Sequence, residues 1–175
     1  DPNVKNMDRS LSPLHVAALW GHNTIVQLLL TYGAYPNATD DDSDTPLHLA
    51  TFKNNTEIVD YLLDDGADPN AVAIGNRTPL HIAAVSDRIS IVKSMLNAGA
   101  DLNMLNTNGV TALNIAITYR FTKTVELMTD WKQVLWRPVY HDRFTLATRG
   151  IVITVHHMSD KVWKDDEWDP KCPES

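Results

Sequence analysis

The chain has 175 residues, of which 15 are Lys or Arg and 22 are Asp or Glu, so its formal net charge is −7. An acidic chain without clustered Lys and Arg argues against a nucleic-acid binder or an anionic-membrane binder. No apolar run approaches the ~20 residues that span a bilayer. A single cysteine, Cys172, excludes an internal disulfide framework and is typical of a reducing compartment, so we expect a cytoplasmic or nuclear protein.

A four-residue pattern recurs along the chain at a fixed interval. Its copies begin at positions 12, 45, 78 and 111, each 33 residues after the previous one. They read Ser12-Pro13-Leu14-His15, Thr45-Pro46-Leu47-His48, Thr78-Pro79-Leu80-His81 and, in altered form, Thr111-Ala112-Leu113-Asn114. A second marker, Gly-Ala with an Asn four residues after the Gly, keeps the same interval at Gly33, Gly66 and Gly99. Two independent markers in one register predict a repeat protein.

The second copy shows how each repeat should fold. Thr45 is suited to cap a helix, and Pro46 suits the first helical position, where its missing N–H costs nothing. Leu47, Leu49 and Ala50 then give that helix a thin apolar face, which lets neighbouring helices approach closely. We expect a short helix that packs against its equivalents in adjacent repeats.

A second helix should follow antiparallel to the first. Its apolar residues recur at helical spacing, at Ile58, Val59, Leu62 and Leu63. Gly66 ends this helix because glycine takes the left-handed C-cap conformation without penalty. Residues 67–77 then carry the chain outward in a β-turn or hairpin. One such unit cannot bury its own apolar face, so neighbouring units must stack.

The interval and both markers resemble those of the ankyrin-repeat family. The resemblance implies an all-α fold, an α-solenoid of helix-turn-helix units joined by β-turn or hairpin fingers. The ankyrin-repeat domain is expected over 1–132, with helices of repeat one near 13–20 and 23–31. The four repeats are expected at about 7–39, 40–72, 73–105 and 106–132. As in the family, the function expected is non-catalytic binding of another protein by an adaptor or scaffold that is monomeric by itself.

The remainder of the chain departs from the repeat pattern. Residues 133–158 are expected to form a C-terminal capping segment, and 159–175 an extended tail. Within the segment, Thr145 to Met158 fits either a strand or a helix, and a helix is favoured. Residues 136–155 resemble a segment that follows the last repeat in many ankyrin proteins of single-celled eukaryotes, sometimes ahead of an F-box-like motif, although no F-box is present here. Two alternative functions follow: a structural subunit of a larger assembly, or the substrate-receptor part of a ubiquitin ligase.

The sequence predicts neither an enzyme nor a cofactor or metal site. Copies of the repeated histidine should lie roughly 10 Å apart at ordinary helix-packing distance, too far for one ion. In this family, the imidazole resembles a hydrogen-bonding tie between adjacent loops. The acidic run from Asp40 to Asp44 lacks the central Gly and final Glu of a calcium loop. It fits an acidic finger tip exposed to solvent or a docking point for a basic partner. No phosphate-binding or nucleophile motif appears.

The resemblance also implies where a partner binds, because ankyrin partners commonly lie across the concave face built from the finger tips and the exposed end of each first helix. The matching candidates are Leu19, Trp20, Asp41, Asp42, Asp44, Phe52, Lys53, Arg77, Val85 and Tyr119. Further positions on this face are Asp8, Arg9, Leu11, Ile74, Ser86, Thr107, Asn108, Val110 and Thr118. The apolar candidates form either a binding stripe flanked by the acidic finger or rings folded onto neighbouring helices.

Two asparagines have a second interpretation. Leu62 followed by Asp68-Pro69-Asn70 resembles the pattern that an asparaginyl hydroxylase of the hypoxia pathway accepts in ankyrin proteins, and Asn103 is the equivalent position in repeat three. Both are candidate hydroxylation sites. The alternative is a structural Asn that bonds backbone groups across its turn.

Overall fold

The structure, a computed structural model, describes the backbone of residues 1–135 and the side chains of residues 1–131. Within that part the chain is an all-α repeat solenoid. The expected C-terminal segment and tail lie outside the described residues, apart from the end of the last helix. The described helices are α1 (Pro13–Trp20), α2 (Asn23–Thr31), α3 (Pro46–Lys53), α4 (Thr56–Asp64), α5 (Pro79–Val85), α6 (Ile89–Asn97), α7 (Ala112–Thr118) and α8 (Thr122–Leu135).

Helices alternate between two packed rows. The first helix of each repeat packs on the next first helix, so that α1, α3, α5 and α7 form one row, while α2, α4, α6 and α8 form the other. The leucine at the third position of each repeated motif is almost completely buried, at Leu14, Leu47, Leu80 and Leu113. Small residues at Ala17, Ala50 and Ala83 are buried between the rows and permit their close approach. One apolar core therefore runs the length of the stack.

Each first helix begins as the repeated motif predicts. The cap residue lies in extended conformation, proline follows at the first helical position, and the cap N–H donates to the histidine Nδ1 at 3.2 Å in all three intact copies. Since Nδ1 accepts that bond, Nε2 carries the ring proton. It donates to a backbone carbonyl of the next finger, at 3.0 Å from His15 to Asp44, and 3.1 Å from His48 to Arg77 and from His81 to Val110. Each histidine is therefore a tie between adjacent repeats.

Two further ties join adjacent repeats. The Asn37 carboxamide donates to Gly66 O at 2.9 Å and accepts from Asp68 N–H at 2.7 Å, and Asn3 and Asn70 make the equivalent pairs of bonds one repeat before and after. Consecutive fingers are also joined by one backbone bond at each junction. These bonds run from Asp41 N–H to Arg9 O, from Ile74 N–H to Asp42 O and from Thr107 N–H to Gly75 O. The fingers therefore form a continuous, mutually bonded row.

The link between α1 and α2 passes through a left-handed residue, which is a glycine in this repeat. Gly21 has φ of +75°, and a Cβ added there would lie 3.2 Å from Asn55 Oδ1. The Asn55 carboxamide occupies that space because its Nδ2 donates to Ala18 O at 2.9 Å, which satisfies a free carbonyl at the end of α1. The equivalent left-handed positions in later repeats are Asn54, Asp87 and Arg120.

The structure corrects one assignment in α3. The sequence pattern places Leu49 with Leu47 and Ala50 on the packing face, but only the latter two are fully buried. Leu49 is half-buried and lines a surface groove. The residue after the histidine therefore faces the groove instead of the core between the two rows. This difference matters for the site.

Candidate partner-binding groove

A groove of about 430 Å³ lies between the fingers and the first helices. Residues of all four repeats line it, which makes it a property of the stack as a whole. The lining residues are Arg9, Leu11, Leu19, Asp40, Asp44, His48, Leu49, Phe52, Arg77, His81, Ile82, Val85, Ser86, Asn106 and Ile115. Its volume falls within the range of pockets that bind ligands.

The helix side of the groove is apolar. Leu49, Ile82 and Ile115 occupy the same position in successive repeats, directly after the histidine or its replacement, and all three are half-buried. Above them, the Phe52 side chain is 63% exposed and Val85 is 49% exposed. Large apolar side chains that no internal packing requires, arranged beside one groove, are typical of a binding surface.

The finger side of the groove is acidic, and Asp40 is its most buried group. The side chain of Asp40 is 1% exposed, so the expectation of a fully solvent-exposed acidic tip is wrong for this residue. Its Oδ1 accepts the N–H groups of Asp42 at 3.0 Å and Asp44 at 2.8 Å, which folds the finger around the carboxylate. Its Oδ2 is buried and has no hydrogen-bond partner.

Asp44 lies on the same side, half-buried in the groove lining. Burial raises the pKa of its carboxyl above the ordinary value of 3.8, and the charge of Asp40 raises it further, while Arg77 and Arg9 oppose the change. Among the described residues, its carboxylate makes neither a hydrogen bond nor an ion pair within 4.0 Å. The groove therefore contains two neighbouring carboxyl groups whose bonding capacity is only partly used.

Two arginines border this acidic region. Arg9 comes from the preceding finger; its Nη2 lies 2.7 Å from Asp42 Oδ2 and 4.0 Å from Asp40 Oδ2. Arg77 is exposed and donates its Nε to Ile74 O of its own finger at 3.1 Å. Neither arginine forms an ion pair with Asp44 within 4.0 Å; Arg9 is paired with Asp42, and Arg77 acts on Asp44 only as a nearby charge.

Half of the ten matching candidates lie together in this groove, and Arg9, Leu11 and Ser86 of the nine further positions also line it. Leu19, Asp44, Phe52, Arg77 and Val85 line it, whereas Trp20, Asp41, Asp42, Lys53 and Tyr119 do not. Trp20 is 68% exposed at the end of α1. Asp41 accepts a hydrogen bond from Ser10 Oγ, and Asp42 forms an ion pair with Arg9. Lys53 Nζ lies 5.6 Å from the Phe52 ring centroid, and the Tyr119 ring stacks on Phe121.

Sequence reasoning missed the residues that form the apolar base of the groove. Leu49, Ile82 and Ile115 carry a usable signal, because a large aliphatic residue follows the histidine position at the 33-residue interval. The burial of Asp40 had no such signal. It depends on a turn in which the carboxylate accepts its own finger's N–H groups, a property shared by many exposed aspartates.

Histidines border the groove but do not supply reactive chemistry. Burial lowers the pKa of all three, to about 4 for His48, and the hydrogen bond to the Arg77 carbonyl only partly opposes this. The rings are therefore neutral at physiological pH, as their role between a cap N–H and a carbonyl requires.

Within the described residues, no three His, Cys, Asp or Glu side chains are placed to hold a metal ion. No described helix is long and apolar enough to cross a membrane.

The two candidate hydroxylation sites differ in their surroundings. The half-buried Asn70 side chain is engaged at both ends, by Gly99 O at 3.2 Å and by Asp101 N–H at 2.7 Å. Asn103 is exposed, and the described partner of its carboxamide is Asp101 of the same turn, at 3.0 Å. The structural role proposed for these asparagines is thus fully developed only at Asn70.

Stacked helix-turn-helix units, tied through one row of fingers, define a helical repeat protein with a groove along one side of the stack. The family model described as "Ankyrin repeats (3 copies)" matches residues 1–73 and 72–134. The chain belongs to the ankyrin-repeat family, whose repeats generally mediate protein–protein interaction. No curated protein matches the chain.

Proposed function

We propose that this chain is a non-catalytic adaptor or scaffold that binds a segment of another protein in the groove between its fingers and first helices. The observation that carries the proposal is the groove itself, because side chains from every repeat contribute to it and several are apolar and exposed. Phe52 is the central candidate for a hot spot, since it lines the groove and is 63% exposed.

The rest of the proposal follows from the composition of the site and the sequence. Besides apolar, carboxylate and guanidinium groups, the groove lining includes the Ser86 hydroxyl and the His48 and His81 imidazoles. Both imidazoles are bonded between a cap N–H and a finger carbonyl, which leaves neither as a free base for a nucleophile and supports binding without catalysis. A net charge of −7 favours a protein partner over nucleic acid or an anionic membrane surface. With its single cysteine, the chain is proposed to work as a monomer in the cytoplasm or nucleus.

The test compares two exposed aromatic residues. A partner is captured from native cell extract with the full chain and purified, and its Kd is then measured for the wild type, Phe52→Ala and Tyr32→Ala. Tyr32 is a matched control because it is 72% exposed at the end of α2 and does not line the groove. Loss of a hot-spot ring is expected to weaken binding by about 2 kcal/mol, roughly thirtyfold, for Phe52→Ala.

Circular dichroism must show equal helicity for all three proteins. An unchanged Kd for Phe52→Ala would contradict the proposed groove. If binding then disappears on removal of residues 138–175, the function belongs to the C-terminal region, as expected for a structural subunit of a larger assembly.

A further inference from the structure

The most unusual group in the groove is the Asp40 carboxylate. A buried ionisable oxygen normally has a hydrogen-bond or charge partner, because an unsatisfied one costs free energy. Asp40 Oδ2 is buried without a hydrogen-bond donor, and the nearest cation, Arg9 Nη2, is 4.0 Å away. Arg9 makes its short contact with Asp42 instead. The Asp40 charge is therefore incompletely compensated.

Asp44 adds a second carboxylate beside the first. It lines the same groove and has no hydrogen bond or ion pair of its own among the described side chains. Holding two carboxylates near each other against an apolar surface is unfavourable unless a cation lies between them. Asp40 and Asp44 face two arginines in the groove lining, Arg9 and Arg77, and the same finger adds Asp41 and Asp42. Four carboxylates therefore stand against two guanidinium groups in this region, which leaves it negative.

We propose that the groove recognises a partner segment that presents one lysine or arginine side chain to Asp40 and Asp44, with apolar residues on either side of it. This inference rests on the proposed function and adds the chemistry of the partner. The basic group would donate to the half-buried Asp44 carboxylate and bring a positive charge close to buried Asp40. The flanking apolar residues would cover Leu49, Phe52 and Ile82. Charge-assisted hydrogen bonds of this kind are the strong ones in a partly desolvated site.

Spacing along the stack limits how such a segment can lie. Adjacent repeats are separated by roughly 10 Å at ordinary helix-packing distance, and an extended chain advances about 3.3 Å per residue. In an extended segment that follows the stack, residues about three positions apart therefore face successive repeats. We expect apolar residues about three positions before and after the basic residue.

An acidic partner is the opposite possibility, since Arg77 also lines the groove. Arg77 is exposed, however, and water solvates its guanidinium at little cost. Asp40 has no such access, because its side chain is 1% exposed. The group whose charge is less satisfied in the free protein gains more from a partner, which favours a basic ligand.

A random-sequence peptide library displayed on phage supplies the probe, and the full chain is the target. The expected selected peptides contain one Lys or Arg with Leu, Ile, Val, Phe or Trp near it. The tightest arginine peptide is then resynthesised with citrulline, a neutral side chain of the same shape. For a lysine peptide, norleucine takes that place. Kd values are measured for the wild type, Asp44→Asn, Phe52→Ala and Asp60→Asn. Asp60 is the matched control because it is exposed on α4 and its replacement removes the same charge.

The inference requires that the charged peptide binds Asp44→Asn at least tenfold more weakly than it binds the wild type, and that its Kd for Asp60→Asn is unchanged. It also requires that the neutral peptide binds the wild type more weakly than the charged peptide does, by a similar factor. Selection of acidic or uncharged peptides would overturn it. So would equal affinity for Asp44→Asn and wild type. If Phe52→Ala still abolishes binding in that case, the groove remains the binding site and only the basic-residue inference fails. If neither variant affects binding, or if no peptide is selected, both proposals fail.

Discussion

Acid should unfold this stack through its buried histidines, and His48 gives the clearest case. Burial, opposed in part by the hydrogen bond to the Arg77 carbonyl, lowers the His48 pKa from 6.5 to about 4 in the folded protein. The unfolded chain therefore binds this proton more readily than the native one. The contribution of neutral His48 to stability is complete above pH 6.5 and is lost as the pH falls from there toward 4.

The size of the effect follows from the two pKa values. One pKa unit corresponds to 1.36 kcal/mol, so full protonation of His48 removes about 3 kcal/mol, and about 2 kcal/mol of that is lost by pH 5. The structural cause is plain: Nδ1 accepts the Thr45 N–H, and a proton on Nδ1 would oppose that donor. Protonation thus costs the helix cap as well as the burial of a charge.

Urea unfolding at pH 7.5, 6 and 5 measures this loss when wild type is compared with His48→Gln. Glutamine does not titrate, and its amide N–H can replace the Nε2 donor. His15, His81 and Asp44 keep their own shifted pKa values in both proteins, so their effects largely cancel. Between pH 7.5 and 5, the variant should lose about 2 kcal/mol less stability than wild type. His22→Gln is the control, because His22 is exposed and its replacement should leave the pH dependence of unfolding as in wild type. Equal pH dependence for wild type and His48→Gln would refute the reasoning.

Three other perturbations follow from single contacts. Thr51→Ala should raise the free energy of unfolding by about 1 kcal/mol, because the Thr51 hydroxyl is buried without a partner where repeats one and three have alanine. Gly33→Ala should lower the free energy of unfolding by about 1 kcal/mol, because Gly33 has a left-handed φ of +81°. Gly21→Ala should lower it by about 1 kcal/mol more, because the new Cβ also contacts the Asn55 carboxamide that caps α1. Incubated with an asparaginyl hydroxylase of the hypoxia pathway, Asn103 should gain an oxygen atom before Asn70, whose side chain must first break two cross-repeat bonds.

Urea unfolding tests the first two of these predictions, and peptide mass mapping tests the third. A destabilised Thr51→Ala would mean that the methyl group matters more than the unsatisfied hydroxyl. Equal losses for both glycine variants would show that backbone strain alone acts at Gly21. Hydroxylation of Asn70 first, or an unchanged mass at both residues, would reject the proposed order or the modification itself.

The helices could be predicted from sequence because their ends are determined locally. Ser12 or threonine as cap, proline at the first helical position and glycine after the second helix each act through the backbone of a few neighbouring residues. The helices expected near 13–20 and 23–31 are found at Pro13–Trp20 and Asn23–Thr31. Packing between repeats adds to these local signals, as where Asn55 of the next repeat donates to Ala18 O at the end of α1.

The groove was only partly predictable because it is made between repeats. Phe52 and Val85 could be assigned from their place at the end of a first helix, where packing does not require a large side chain. The surroundings of Asp40 could not, since they depend on a finger turn and on Arg9 reaching over from the preceding finger.

Residues that hold the repeats together are largely distinct from the residues proposed to bind. The asparagine ties act on backbone groups and do not line the groove, whereas His48 and His81 both hold repeats together and line it. In the fourth repeat Asn114 replaces the histidine, and its side chain accepts a hydrogen bond from the Thr111 hydroxyl of its own cap. Among the described residues, the histidine tie is therefore confined to the first three repeats. Phe52, Asp44 and Val85 bear no such constraint, because none of their side chains makes a cross-repeat hydrogen bond. The partner chemistry can therefore be changed at these positions without loss of the stack, which is the property that a binding test on this protein requires.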